Sequence, residues 1–371
     1  MKTHLRMATM LSFLALPIGL FAQTDIVRIT EANGDQNAQQ NPWSMGMGGV
    51  SVVAPMQESY QSGLENPAIM ATGEALAGAQ IFLSQISIRD RSPLPHIIGV
   101  GYFHKIGKKN TLHYGLKYTG LGFNAGNVQH HRISYARMLN DQWEIGVSAN
   151  LGITRFNDLI SPDQTIVDSR NQNLSMDLGA RYHQQWGQIG KETYEFQMGG
   201  SINSIGPAFN RRFFNDTDPD RFIRQYQSTR MNMGVLGRYE NWIEPDMSIF
   251  LSFAAQIQKS LLPAWTEDDG IPTMPRLWGE SFQADRSGRI ALMVGPSFGI
   301  SYRETYYELR LGVLRERYSI LQDAFQTRVV LTGGLGIGWK DIKLDVSYNR
   351  FSSLFLGNFW NAGLSYALNE N

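Results

Sequence analysis

Period-two alternation, sustained over unusually long segments, most constrains what this chain can become. Leu174, Met176, Leu178, Ala180 and Tyr182 alternate with Ser175, Asp177, Gly179, Arg181 and His183. Ile342, Leu344, Val346 and Tyr348 alternate with Lys343, Asp345, Ser347 and Asn349. The same pattern runs through Leu112–Thr119 and Glu144–Ile153. A period of two places one set of side chains on each face of a strand. Fourteen such segments are expected, at 75–88, 94–106, 110–121, 127–139, 142–155, 172–185, 193–203, 229–240, 246–258, 288–303, 306–317, 325–339, 341–350 and 358–368. Most exceed the roughly 5–6 residues of a strand in a soluble protein. They suit the roughly 9–11 residues that a tilted strand needs to cross a bilayer.

The connections support the same conclusion independently of hydropathy. Every second one is short: Gly107–Lys109, Asn140–Asp141, Trp186–Glu192, Asn241–Pro245, Glu304–Thr305 and Lys340. Others, among them Phe156–Asn171, Ser204–Ser228 and Lys259–Ser287, are long and polar. Outer-membrane barrels join their strands by short periplasmic turns and longer extracellular loops. The expected fold is therefore all-β, a 14-stranded antiparallel transmembrane β-barrel with both termini in the periplasm. Its apolar stripe faces lipid and its polar stripe lines the lumen. That explains why only 18% of the residues are charged while mean hydropathy stays at −0.26. Aromatics near strand ends (Tyr102, Phe103, Tyr118, Trp143, Tyr182, Tyr239, Trp339, Tyr348, Trp360 and Tyr366) are expected to form interfacial girdles.

Residues 1–22 read as a signal peptide: Lys2 and Arg6 precede the apolar run Met7–Phe21, and Ala22 offers a small residue for cleavage. Residues 23–73 form an N-terminal periplasmic or plug segment and residues 74–371 the barrel. The chain has no cysteine, which removes disulfides and thiolate metal sites. A formal net charge of +0 argues against a nucleic-acid partner.

Little points to catalysis or to a metal. His130 and His131 are adjacent on one strand, so they face opposite sides and cannot share an ion. His113 and His183 fall on the polar face, where lining the lumen is the simplest role. Thr266–Gly270, TEDDG, lacks the alternating acids and closing glutamate of a calcium loop and reads as a solvated acidic loop. There is no Gly-x-Ser-x-Gly elbow and no His-Glu-x-x-His helix. No enzyme activity, cofactor or metal is expected. Lys117, Asp177, Arg181, Arg238, Arg310, Lys343 and Asp345 should point inward, either pairing to hold a plug or lining a polar channel.

Ser44–Ala54, SMGMGGVSVVA, has the glycines of a phosphate loop but no Gly-Lys-Ser/Thr ending, and β-branched residues follow. Extended to Ala68, it resembles the N-terminal segment of FadL-like barrels and is especially similar to the PorV family of type IX secretion proteins. Gly46, Gly48, Gly49, Asn66, Pro67 and Ala68 carry this plug motif. Ile133–Leu151, Gln256–Trp265 and the stretch GGLGIGWKDIKLDVSYN resemble further segments of that family. PorQ and other type IX accessory barrels share the glycine-rich start and the Asn-Pro-Ala. On the last strand, Asn361, Gly363, Tyr366 and Leu368 resemble the signal by which outer-membrane barrels are recognised for insertion, although the chain ends in Asn369-Glu370-Asn371 rather than on an aromatic.

The resemblance implies a 14-stranded barrel with its N-terminal segment folded into the lumen. It also implies binding of the C-terminal signal domain of secreted cargo at the translocon, and transfer of that cargo to the surface attachment machinery. The implied partners are type IX translocon subunits, cargo C-terminal domains and outer-membrane lipid, with no nucleic acid. Connections 204–228 and 259–287 are the expected contact regions. Two other readings stay open: a FadL-type outer-membrane transporter of hydrophobic small molecules, and a barrel enzyme acting on lipid.

Overall fold

The computed structural model describes residues 41–55, 65–71, 75–87, 96–120, 126–160, 166–188, 191–207, 209–212, 222–225, 229–262, 290–321, 324–351 and 358–368. Fourteen strands close into one antiparallel barrel. They are β1 (Ala77–Ser87), β2 (His96–Ile106), β3 (Asn110–Gly120), β4 (Gly126–Met138), β5 (Trp143–Ile160), β6 (Ile166–Gln188), β7 (Glu192–Ile205), β10 (Thr229–Glu244), β11 (Met247–Leu262), β12 (Ile290–Tyr302), β13 (Thr305–Leu321), β14 (Ala324–Trp339), β15 (Ile342–Phe351) and β16 (Asn358–Leu368). The remaining strands, β8 (Phe209–Arg212) and β9 (Phe222–Gln225), form a separate hairpin within the connection between β7 and β10. Closure comes from β1 against β16, in register from Ala77↔Leu368 to Ser87↔Asn358. A closed sheet leaves no unpaired edge, the condition for a β-structure to cross lipid.

Side chains sort by face as the alternation requires. Ile81, Leu83, Leu309, Leu311, Leu331 and Leu335 lie on the outer face, each about half exposed to what would be hydrocarbon. Lys117, Asp177, Arg181, Arg238, Arg310, Lys343 and Asp345 are all buried on the inner face. Outside, Trp143 meets Tyr182 with ring centroids 5.2 Å apart, and Trp186 stacks on Tyr194 at 6.0 Å. These pairs lie beside the short turns, at the level of an interfacial girdle.

Three expectations need correction. Phe103 is only 2% exposed and points into the lumen, where its ring covers Gly78, so it is no girdle residue. The long connection expected over Phe156–Asn171 is mostly sheet, because β5 runs on to Ile160 and β6 starts at Ile166. Polar residues hid this extension, since strands that rise past the bilayer need no apolar face. The inner face is also not uniformly polar: Leu236, Ala254, Ala291, Met293, Leu314 and Val330 point inward and are buried.

Candidate functional site: the lumenal plug

Those inward apolar residues mark a seat. Trp43, Met47, Val50, Val52, Val53 and Ile69 pack with them into one apolar cluster inside the barrel. The segment begins with a short helix, α1 (Pro42–Gly46), built on local rules. Asn41 caps it by accepting the Trp43 N–H at 2.8 Å, and Pro42 occupies the first turn, where its missing N–H is not needed. Gly48 and Gly49 then take φ of 77° and 93°, a left-handed stretch that turns the chain along the wall. From Pro67 to Ala71 the chain forms a 3-10 turn against β4, β5 and β6.

The plug follows the inner wall in one direction. Pro42 lies on β16, Gly46 on β14 and β13, Met47 on β12, Val52 on β10 and β7, and Asn66 and Pro67 on β6 and β5. At each step the wall presents a glycine to it. A Cβ on Gly295 would stand 2.6 Å from the Met47 carbonyl oxygen, and one on Gly363 would stand 2.9 Å from Pro42 Cγ. Gly146, Gly179, Gly199, Gly312 and Gly334 meet the plug in the same way. Glycine at these inward positions lets two backbones approach to contact.

Polar contacts fix the register of this packing. Thr332 Oγ1 accepts the Gly48 N–H at 3.0 Å and donates to Gly46 O at 3.1 Å. Gln256 Oε1 accepts from Ser51 N at 2.7 Å and from Val52 N at 3.0 Å. Asn66 donates to Val52 O at 3.1 Å and to Ala180 O of β6 at 2.9 Å, and its Oδ1 caps the Ala68 N–H at 3.0 Å. Both functions of the amide are therefore used, which suits Asn over Asp at this position.

Glu65 is the only acid among the described plug residues, and it is buried. Its carboxylate accepts from Ser51 Oγ at 3.1 Å, Gln256 Nε2 at 3.4 Å and Gln258 Nε2 at 3.4 Å. Arg230 Nη1 lies 3.7 Å away. Its backbone oxygen accepts from Asn203 Nδ2 at 2.8 Å and Arg132 Nη2 at 3.4 Å. Arg132 also pairs with Asp177 at 3.3 Å. These groups lie on the side of the plug toward the long connections.

On the other side, toward the short turns, a second charged layer lies beneath the plug. Arg181 makes a two-pronged contact with Glu144 at 2.8 and 3.2 Å. Arg310 pairs with Asp345 and lies 3.5 Å from Glu308, which accepts from Tyr306 at 2.8 Å. Lys343 reaches Asp345 at 3.5 Å, and the Arg238 guanidinium covers the Phe250 ring at 3.9 Å. Of the inward charges named in the sequence, Arg181, Arg238, Arg310, Lys343 and Asp345 fall in this layer, whereas Asp177 pairs with Arg132 on the other side of the plug.

The residues singled out in the sequence fall as follows. Gly46, Gly48, Gly49, Asn66, Pro67 and Ala68 all lie in the plug. On β16, Asn361 and Gly363 point inward, while Tyr366 and Leu368 stand about half exposed on the outer face. Residues 1–22 and Thr266–Gly270 lie outside the described residues, as does most of 259–287. Glu65, Gln256, Thr332 and the glycine track were missed. The available signal was apolar or glycine residues recurring on otherwise polar inward positions.

Comparison with known proteins assigns the chain to no family. No family model matches the sequence, and no curated protein matches it. Among solved structures, the Pseudomonas putida toluene transporter TodX shares 10% identity over 88% of this chain and 97% of its own, with a TM-score of 0.43. A Pseudomonas aeruginosa FadL homologue shares 10% identity over 89% of this chain and 98% of its own, with a TM-score of 0.44. The CymD monoaromatic hydrocarbon channel shares 10% over 90% and 99%, with a TM-score of 0.43.

Proposed function

We propose that the chain is an outer-membrane conduit for apolar small molecules, closed by its own N-terminal segment and working by binding and release, with no bond made or broken. The observation that carries this reading is the apolar seat on the inner wall beneath the N-terminal segment. Leu236, Ala254, Met293, Leu314 and Val330 break the polar inner face where Trp43, Met47 and the valines sit, and pack with them into one apolar cluster. A plug held by packing and hydrogen bonds to side chains, rather than by sheet pairing, can leave without breaking the barrel. Its departure would uncover an apolar surface that a hydrophobic passenger can take over. The chain's resemblance to FadL-like barrels supports the same reading. The start of β1 and the end of β16 lie together on the side of the short turns, which we infer to be the periplasmic side.

The test is uptake and retention of apolar compounds. The purified protein should carry hydrophobic small molecules detectable by mass spectrometry, and its deletion should slow uptake of a hydrophobic fluorescent probe such as N-phenylnaphthylamine. An empty barrel together with unchanged uptake would overturn the proposal.

A second reading rests on the segments similar to the PorV family, Ser44–Ala68, Ile133–Leu151 and Gln256–Trp265. In that reading the barrel binds cargo C-terminal domains at a type IX translocon and hands them to the attachment complex. It predicts co-purified translocon subunits or cargo, and loss of surface cargo on deletion. Cargo still attached normally after deletion would sink it.

A further inference from the structure

The wall carries another feature, on its membrane face. β7 leaves the regular sheet at Ser204, whose φ is 60°, and its register with β6 slips between Met176 and Leu178. Asp177 Oδ1 holds the irregularity by accepting the Ser204 N–H at 2.8 Å. Beyond it, Ile205 and Pro207 border a groove of about 350 Å³ whose other walls include Ile133, Val147, Ala149 and Met176. Ile133, Val147 and Met176 belong to the outward, lipid-facing set, so the groove continues the membrane surface of the barrel. Ala149 deepens it, being small where its neighbours on that face, Val147 and Leu151, are large.

We propose that this groove holds one acyl chain of a membrane lipid. The inference rests on the reading that the barrel spans a membrane, and not on what the lumen carries. A volume near 350 Å³ lies at the low end of ligand sites, on the scale of a single chain. Ser148 and Ser175 are the only residues with polar side chains, apart from the Tyr135 hydroxyl, along its walls. The carboxylate of a free fatty acid or the backbone of a peptide would be desolvated there without a charged partner. A lipid avoids that cost by keeping its headgroup at the interface. Arg155 stands on the same outward face of β5 as Ala149, six residues nearer the long connection. At about 3.3 Å per residue, that places a cation roughly 20 Å along the strand, where an anionic headgroup would lie.

The test uses the full chain in phosphatidylglycerol vesicles containing a fraction of lipid with a photoreactive diazirine in its acyl chain. After irradiation, adducts are mapped by mass spectrometry. Adducts on the groove residues are expected to exceed those at Leu309 and Leu331, on the opposite lipid-facing wall, by at least fivefold. Ala149→Phe should abolish that excess and leave the Leu309 and Leu331 adducts unchanged; Ala149→Leu, a milder filling, serves if the phenylalanine variant does not assemble. Even labelling around the barrel, or an excess that both fillings leave intact, overturns the groove. Absence of adducts at Leu309 and Leu331 as well would instead overturn the membrane reading beneath it. A groove shielded from the lipid probe by a cross-linked polypeptide in native membranes would overturn the lipid assignment in favour of a protein partner.

Discussion

Glu65 accepts from Ser51, Gln256 and Gln258 and faces Arg230, all of them buried, so its removal takes one acceptor from each of three hydrogen-bond donors and one anion from beside a buried guanidinium. Hydrogen bonds to a charged group contribute about 1.5–3 kcal/mol each where they are lost singly. Glu65→Ala should therefore shift the plug toward release by at least tenfold. The chain lacks cysteine, so a single Val53→Cys reports on that release directly. Its maleimide labelling should be slow in the parent and at least about tenfold faster with Glu65→Ala; equal rates would show that the carboxylate does not hold the plug. The wall glycines give a steric version of the experiment. Gly295→Leu puts carbon where the Met47 backbone lies and should expose Val53→Cys while the barrel still assembles. Gly237→Ala, where a Cβ meets nothing within 4 Å, should leave labelling unchanged. Much of this site was legible at residue level. Gly46, Gly48, Gly49 and Asn66-Pro67-Ala68 stand out in the sequence because glycine and proline carry strong local constraints. Glu65 did not, since one acid beside a motif has no signature until Gln256 and Gln258, nearly two hundred residues on, are brought to it.

At the level of elements, alternation located all fourteen barrel strands because burial on one face repeats every second residue. It failed where strands outrun the bilayer, at 156–160 and 166–171, because both faces are then free to be polar. It also failed at Phe103, since an aromatic near a strand end reads as a girdle residue until its face is known. β7 shows how one element serves both sides of the wall. Inside, Asn203 bonds Glu65 O; at the next residue Ser204 takes its positive φ, with its N–H bonded to Asp177. A non-glycine residue in that conformation costs about 1 kcal/mol or more, and the Asp177 contact helps offset it. Asp177→Ala should therefore loosen the irregularity and raise amide exchange across 203–207 by about tenfold, taking the contact as a charge-assisted bond of about 1.5 kcal/mol or more. Adding Ser204→Gly, which removes the conformational cost, should recover part of that protection. Unchanged exchange in Asp177→Ala would mean that the register slip is held by packing alone.

For the whole molecule, the plug lies between two charged layers, and the lower one tests whether closure and stability are separable. Arg310, Asp345, Glu308 and Lys343 are all buried, so each depends on the others for compensation. Removing one partner of such a set costs about 3–5 kcal/mol, whereas replacing both by apolar groups of similar size can cost far less. Arg310→Met should therefore lower the temperature at which the folded barrel loses its heat-modifiable gel mobility. Arg310→Met combined with Asp345→Leu should recover much of the loss. None of these changes touches the hydrogen bonds that hold the plug, so Val53→Cys should stay protected in all of them at temperatures where the barrel is folded. Deleting residues 41–71 makes the opposite change: the paired charges and the sheet remain, and the obstruction goes. That variant should keep its heat-modifiable mobility and conduct ions across a planar bilayer, because the lumen uncovered is lined by Gln197, Asn232, Gln256 and Thr332 as well as by the apolar seat. The full chain should conduct little under the same conditions. If the deleted form assembled and were as silent as the full chain, residues 41–71 would not be what closes the barrel, and the gate would have to be sought in the long connections.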